Sequence, residues 1–103
     1  MIRSRTALLL LTLFPVACAD SARVDTILGL TGDADSGAGV YAAHCAGCHG
    51  ADATGGTERG ILGESAEETV EIVLNGEDSM PAFAETLEDQ AIADLLAWLD
   101  AQG

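Results

Sequence analysis

Two cysteines and a histidine stand close together in the segment Cys45-Ala46-Gly47-Cys48-His49. The C-x-x-C-H spacing is typical of the attachment site of a c-type haem. On a helix, Cys45 and Cys48 are three residues apart and Cys45 and His49 are four apart, so the three side chains project from one face. The two thiols can then form thioethers with the haem vinyl groups, while the imidazole reaches the iron as an axial ligand. The motif predicts one covalently attached haem c.

Two other kinds of site use a pair of cysteines at this spacing. A thioredoxin-like dithiol is expected in a βαβ context, and a zinc site needs further ligands elsewhere in the chain. The only other cysteine and histidine are Cys18 and His44, and they do not supply a second ligand pair. Covalent haem is therefore the favoured interpretation.

Met80 is the candidate for the second axial ligand of the iron. It is the only methionine besides the start residue, and it stands in a polar loop led by Gly76 and followed by Pro81. A lone methionine is usually a core filler, but this loop context favours a ligand. His44 is too close to His49 on the same short helical segment to reach the other face of the iron. A haem held by His49 and Met80 has no open coordination position, which predicts transfer of single electrons rather than catalysis.

The first seventeen residues have the features of an export signal. Arg3 and Arg5 form a positive n-region, residues 7–14 form a short apolar run, and small residues follow. The run is shorter than the roughly 20 residues that a membrane span requires. Residues 1–17 are therefore predicted to be a signal peptide, and the protein is predicted to be periplasmic.

Cys18 has two interpretations, which both remain open. Ordinary cleavage after Ala19 would remove the cysteine with the signal. Alternatively, Pro15-Val16-Ala17-Cys18 is a lipobox, and Cys18 becomes the lipidated N-terminus of a lipoprotein. The lipoprotein is favoured because a spare exported thiol is a chemical liability. Membrane association is expected only through this lipid.

The charge of the chain is strongly asymmetric. All 17 acidic residues lie at Asp20 or later, together with only two basic residues, Arg23 and Arg59, which gives this portion a formal net charge of −15. Such a surface excludes nucleic acid and anionic lipid as electrostatic partners. It favours redox partners that present a basic or neutral docking face.

The chain beyond the signal is predicted to be one small all-α domain. Residues 18–32 show no sustained period and are predicted to be a tether, and residues 33–103 are predicted to be the haem domain. Ser65 and Glu68 form a capping box for one helix, and Thr86 with Asp89 repeats that signal for another. The last helix carries an apolar arc with helical spacing. The residues of this arc are Ile92, Leu95, Leu96 and Leu99.

These features together resemble the class I c-type cytochromes over nearly the whole of residues 36–102. The resemblance rests on Gly37-x-x-x-Tyr41 leading into the C-x-x-C-H motif, on Met80-Pro81, and on a final helix with Leu95 and Trp98. It implies a cytochrome c fold of three to four helices packed around one covalent haem. It also implies that Gly37 and Tyr41 meet Leu95 and Trp98 where the first and last helices of that fold cross.

The chain departs from that family in the glycine-rich loop over residues 50–63. The family often has a proline there whose carbonyl accepts a hydrogen bond from the proximal imidazole, and this chain has Arg59-Gly60-Ile61-Leu62 instead. Gly60 is the candidate for the carbonyl that binds His49. Arg59 is a candidate contact of a haem propionate, and a solvated surface arginine is the alternative.

The sequence thus predicts a monohaem c-type cytochrome that carries single electrons between redox partners in the bacterial cell envelope. The alternative is a haem-bearing subunit bound permanently to one oxidoreductase complex. In both cases the protein itself is predicted to be an electron-transfer protein and not an enzyme.

Overall fold

The computed structural model describes residues 16–103, and within them the fold is all-α, as predicted. Its five helices, numbered in chain order from α1 to α5, are Val16–Leu28, Ala34–His44, Ala46–His49, Ala66–Asn75 and Asp89–Gln102. Extended pairing in this part of the chain is limited to two isolated bridges, Gly55 with Arg59 and Glu77 with Met80. None of the helices described is both long enough and apolar enough to cross a membrane.

Among the helices that the structure describes, α2 and α5 form the most extensive contact. Gly37 permits it, because a Cβ atom on this buried residue would overlap the backbone of Asp94 at the crossing. One turn later, Tyr41 stacks on Trp98 with 4.3 Å between the ring centroids. The fully buried Leu95 completes the crossing. The expected meeting of these two helices is confirmed.

Helix α4 has the boundaries that its capping residues predict. The Ser65 hydroxyl accepts a hydrogen bond of 3.1 Å from the Glu68 backbone N–H. At the other end, Gly76 closes the helix by donating its N–H to the carbonyl of Ile72. A helix that begins and ends on local signals places its apolar face reproducibly. The buried residues of that face are Val70, Val73 and Leu74.

The capping signal predicted for α5 at Thr86 is wrong. The helix begins at Asp89, with Glu88 at the N-cap position and no hydrogen bond from its side chain. The backbone N–H groups of Thr86 and Leu87 both bond to the carbonyl of Phe83. These bonds close a turn ahead of the helix, and Thr86 lies within that turn instead of at the N-cap position.

The prediction of a tether over residues 18–32 is also wrong where the structure describes it. Helix α1 packs against α4 and α5, with Val24 and Ile27 buried in the core. Among the α1 residues whose burial the structure describes, 21–28, the docked face is made by these two positions and the half-buried Arg23, which is too few apolar residues to produce a visible helical period. Residues 1–15 of the predicted signal peptide lie outside the described residues, and the export signal and the lipid on Cys18 stay predictions.

Candidate haem-binding site

One cavity of about 320 Å³ brings the predicted site residues together. Cys45, Cys48 and His49 line it from the junction of α2 and α3, and Met80 lines it from the loop between α4 and α5. A volume of this size is within the range of cofactor pockets. The rest of the lining is largely apolar, with Ile61, Ile72, Val73, Leu95 and Leu99 among its residues.

The C-x-x-C-H motif occupies a tight change of direction between α2 and α3. Cys45 is the C-cap of α2 and donates its backbone N–H to the Tyr41 carbonyl at 2.8 Å. Cys48 and His49 both donate their backbone N–H groups to the Cys45 carbonyl. The motif is thereby wound as one helical turn, which presents its three functional side chains to the same cavity. The Tyr41 hydroxyl donates to the carbonyl of Gly50 at 2.5 Å and so ties the end of the turn back to α2.

The loop of residues 50–63 folds back over this turn and is held there by backbone hydrogen bonds. Gly55 donates its N–H to the carbonyl of His49, and Glu58 donates its N–H to the carbonyl of Cys48, each at 2.8 Å. Further along, Ile61 donates to the carbonyl of the fully buried Ala53. The loop therefore has a defined path beside the motif although it forms neither helix nor strand.

This path places a backbone carbonyl on the His49 ring, but it is the carbonyl of Arg59 and not that of Gly60. The Nδ1 atom of His49 lies 2.7 Å from the Arg59 oxygen. Gly60 instead lies against the backbone of Thr54, where a Cβ atom would approach the Thr54 oxygen to 2.5 Å. The prediction was wrong by one residue because the path of the loop, rather than its composition, decides which carbonyl faces the ring.

The hydrogen bond to Arg59 determines the tautomer of His49. A carbonyl oxygen can only accept, so Nδ1 must carry the proton and donate it. The lone pair of Nε2 is then left available for a metal. A hydrogen bond of this kind also orients a metal-binding imidazole and increases its basicity.

Met80 is held by the loop of residues 76–88, which we call the Met80 loop. Glu77 and Met80 exchange backbone hydrogen bonds, and the N–H of Phe83 donates to the Val73 carbonyl at 2.8 Å. Gly76 begins the loop with φ 76° and ψ 171°, a conformation that is essentially restricted to glycine. The loop is thus attached to the C-terminal end of α4, and Met80 itself is half-buried.

His44 lines the same cavity but contributes in a different way. Its exposed ring meets the edge of the Phe83 ring, with centroids 5.4 Å apart. It precedes the motif by one residue and packs against a residue of the Met80 loop. His44 thus lies at the edge of the site, between the motif and the Met80 loop.

The environment of Cys45 argues against a redox-active dithiol. Burial raises the pKa of its thiol to about 11. Reactive cysteines in dithiol motifs have a lowered pKa, because the thiolate is the nucleophile. Before any cofactor is attached, Cys45 is therefore a protonated thiol at neutral pH.

The charged side chains that line the cavity are predominantly acidic. Arg59 donates to Glu64 at 2.8 Å, and this interaction lowers the pKa of Glu64 and raises that of Arg59. The neighbouring Glu68 has a raised pKa because it interacts with Glu64. Glu58 and Glu77 also line the cavity. The guanidinium of Arg59 is thus already paired with a carboxylate of the protein.

A family model described as cytochrome C oxidase, cbb3-type, subunit III matches residues 32–99. The match covers about two thirds of the chain and includes both the C-x-x-C-H motif and Met80. The chain belongs to this family. It is therefore a haem-bearing electron-transfer protein of the cytochrome c type, and its cofactor is covalently bound haem c. No curated protein and no solved structure matches the chain significantly.

The residues of this cytochrome fit the haem that the family implies. The cavity combines two thiols for covalent attachment, an imidazole whose Nε2 is free, and one thioether, within a largely apolar lining. Two thiols suffice for the covalent attachment of haem c, and histidine with methionine is the ligand pair of cytochromes c.

Arg23 is a residue of this structure whose role the motifs do not indicate, and its contacts link α1 to the Met80 loop. The only signal in the sequence was its rarity, as one of two basic residues in a strongly acidic chain.

Proposed function

We propose that this cytochrome is a monohaem carrier of single electrons, with Cys45 and Cys48 as the thioether residues and His49 and Met80 as the axial ligands. The observation that supports it is the meeting of these four side chains at one cavity, with Nδ1 of His49 engaged by the Arg59 carbonyl. When bound, haem c supplies a one-electron couple at its iron.

The protein residues then have distinct tasks. Cys45 and Cys48 attach the cofactor through covalent bonds, so its retention does not depend on non-covalent affinity. His49 offers Nε2 in a fixed tautomer and orientation, because Nδ1 donates to Arg59. The thioether of Met80, once bound to the iron, would favour the reduced state and raise the potential. With His49 and Met80 both holding the iron, no position would be left for small molecules, which would suit electron transfer.

The substitution Met80→Ala tests this assignment. The haem should remain covalently attached, carbon monoxide should bind the reduced protein, and the reduction potential should fall, because the thioether is lost. The oxidised wild-type protein should show the far-red absorption band of sulfur–iron ligation, and the variant should lack it. A wild-type protein without that band would contradict ligation by Met80.

We further propose a bacterial periplasmic location, with a lipid on Cys18 as the membrane anchor. The sequence supports this through the export signal and the lipobox-like segment around Cys18. Mass spectrometry of the native N-terminus should find diacylglycerol on Cys18, and Cys18→Ser should release the cytochrome into the soluble fraction. An unlipidated N-terminus at Asp20 would contradict the anchor.

The mobile carrier is expected to meet partners with a basic or neutral docking face, because residues 20–103 contain 17 acidic and two basic residues. With a basic partner, the second-order electron-transfer rate should fall as ionic strength rises, since charges are screened beyond roughly 8–10 Å. A flat or rising rate would limit the role of the acidic surface to solubility. Arg59 remains a candidate contact of a haem propionate. A propionate would have to compete for its guanidinium with the carboxylate of Glu64, which already pairs with it.

The second candidate function is that of a haem subunit fixed in one oxidoreductase complex. Two observations favour it: the matched family is described as an oxidase subunit, and α1 is docked on the domain rather than extended as a tether. Without an extended tether, a domain anchored to the membrane at Cys18 can move only a short distance from its anchor, which suits a fixed subunit better than a mobile carrier. Isolation of the native protein at high salt distinguishes the two functions, because a fixed subunit should stay with its complex and a mobile carrier should separate.

A further inference from the structure

Arg23 connects α1 to the segment that follows Met80 through three hydrogen bonds. Its Nε donates to Oδ1 of Asp89 at 2.7 Å, its Nη1 to the carbonyl of Ala84 at 2.6 Å, and its Nη2 to the carbonyl of Leu87 at 2.9 Å. The three acceptors lie 61 to 66 residues away in the chain. The guanidinium is a planar, permanently charged fork, and few other side chains could reach three acceptors at once.

The acceptors belong to the end of the Met80 loop and the start of α5. Ala84 and Leu87 lie in the turn that Phe83 closes, and Asp89 is the first residue of α5. A cation that binds two carbonyls and a carboxylate thus attaches this turn and the start of α5 to helix α1. Hydrogen bonds to a charged group contribute more than neutral ones.

The turn held by Arg23 is directly connected to the cavity. Phe83 lines the cavity, contacts His44 edge-on and bonds through its N–H to the carbonyl of Val73. Met80 precedes Phe83 by only three residues. The Met80 loop is therefore attached at two places: at α4, through Gly76 and the Phe83–Val73 bond, and at α1, through Arg23.

Helix α1 is itself firmly placed, so that its arginine can act as an anchor. Val24 is 3% exposed and Ile27 is fully buried, and both lie on the docked face next to Arg23. The described part of α1 lies outside the family match, which begins at residue 32. The loop that carries the ligand is thus supported by a helix beyond the matched domain.

We propose that Arg23 is a positioning residue for axial ligation: by holding the turn of residues 83–88, it keeps Met80 on the iron. The inference rests on the proposed function, in which Met80 is an axial ligand. A thioether is a weak ligand to oxidised iron, so the restraint of its loop sets how often the bond opens and an external ligand enters.

The test uses the full-length holoprotein with Arg23→Gln, Arg23→Lys and the control Thr26→Ala. Thr26 is exposed on α1, and its hydroxyl bonds only to the carbonyl of Ala22 in the same helix. The measurement is the rate at which imidazole displaces the sulfur ligand from oxidised protein at a temperature far below unfolding, followed by loss of the far-red band. Hydrogen exchange of the amides of residues 84–88 gives a second readout that does not depend on the iron.

We expect imidazole binding to be about tenfold faster in Arg23→Gln, which corresponds to about 1.4 kcal/mol. Arg23→Lys, which keeps the charge but loses the fork, should lie between wild type and Arg23→Gln, and Thr26→Ala should match wild type. Amide exchange in residues 84–88 should accelerate in the same order.

Rates within twofold of wild type, with only a lowered unfolding midpoint, would overturn the proposal and reduce Arg23 to a structural contact. If Arg23→Gln gives no holoprotein, Arg23→Lys and Asp89→Asn are judged by the same criterion. Failure of the proposed function is distinguishable, because the far-red band would then be missing from the wild-type protein itself.

Discussion

The two segments that bring candidate ligands to the cavity are supported in different ways. The turn of residues 45–49 is held by contacts from nearby residues, with hydrogen bonds from Gly55 and Glu58 and a carbonyl from Arg59, all within about ten positions of His49. The Met80 loop is attached at α4 by the bond from Phe83 to Val73, but its far end is held by Arg23, more than sixty residues away in the chain. The comparison suggests that the histidine side forms as a local unit, whereas the methionine side requires the completed tertiary fold.

The largest effect is expected from removal of the covalent attachment. The double variant Cys45→Ala/Cys48→Ala should lose nearly all covalent haem, because no thiol remains for thioether formation. Denaturing electrophoresis with haem staining measures this directly, and Met80→Ala is the matched control because it should keep its stain. Equal loss in both variants would show that attachment also needs the Met80 loop, and would break the proposed independence of the two segments.

A smaller effect, confined to the methionine side, is expected for Gly76→Ala. Its φ of 76° and ψ of 171° are essentially restricted to glycine, and a Cβ would lie 2.6 Å from the Met80 carbonyl oxygen. Strain of this kind costs about 1–3 kcal/mol, which the loop can relieve by moving Met80. The far-red band should weaken while the haem stays attached. If Gly76→Ala keeps the far-red band at wild-type intensity and loses only stability, the loop accommodates the strain without moving Met80.

The smallest effect is expected for Gly60→Ala, which probes the histidine side. A Cβ there would press on the Thr54 backbone and displace the adjacent Arg59 carbonyl from His49. Overpacking of this kind lowers the free energy of unfolding by about 1–3 kcal/mol. The far-red band should persist, while the reduction potential shifts because the imidazole loses a hydrogen bond.

Gly39→Ala is the control for both glycine variants. Gly39 lies in α2, and a Cβ there would meet nothing within 4 Å. Its replacement should leave the band and the potential unchanged and should increase stability slightly, by roughly 0.5–1 kcal/mol. If Gly60→Ala resembles this control in potential, the bond between Arg59 and His49 does not tune the iron.

Much of the fold could be predicted because it is encoded by short-range chemistry. The spacing of Cys45, Cys48 and His49 is a helical pattern, and Ser65 with Gly76 marks both ends of α4 through hydrogen bonds within a few residues. The crossing of α2 and α5 followed from the resemblance to a known family, since a single glycine and one aromatic pair recur there. These features were predictable because the interacting residues are either close together in the chain or part of a pattern that is known from the family.

Three features were decided only by the tertiary structure. The carbonyl on His49 belongs to Arg59 because the loop of residues 50–63 is placed by hydrogen bonds to the backbone of the motif. Helix α5 begins at Asp89 because Thr86 and Leu87 are closed into a turn on the Phe83 carbonyl. Helix α1 docks because Val24 and Ile27 are buried against α4 and α5 and because the acceptors of Arg23 lie more than sixty residues away in the chain. The sequence by itself determined which side chains can bind a haem, since local spacing and donor type are properties of the chain. How those side chains are oriented depends on the distances between remote segments, which exist only once the helices have packed.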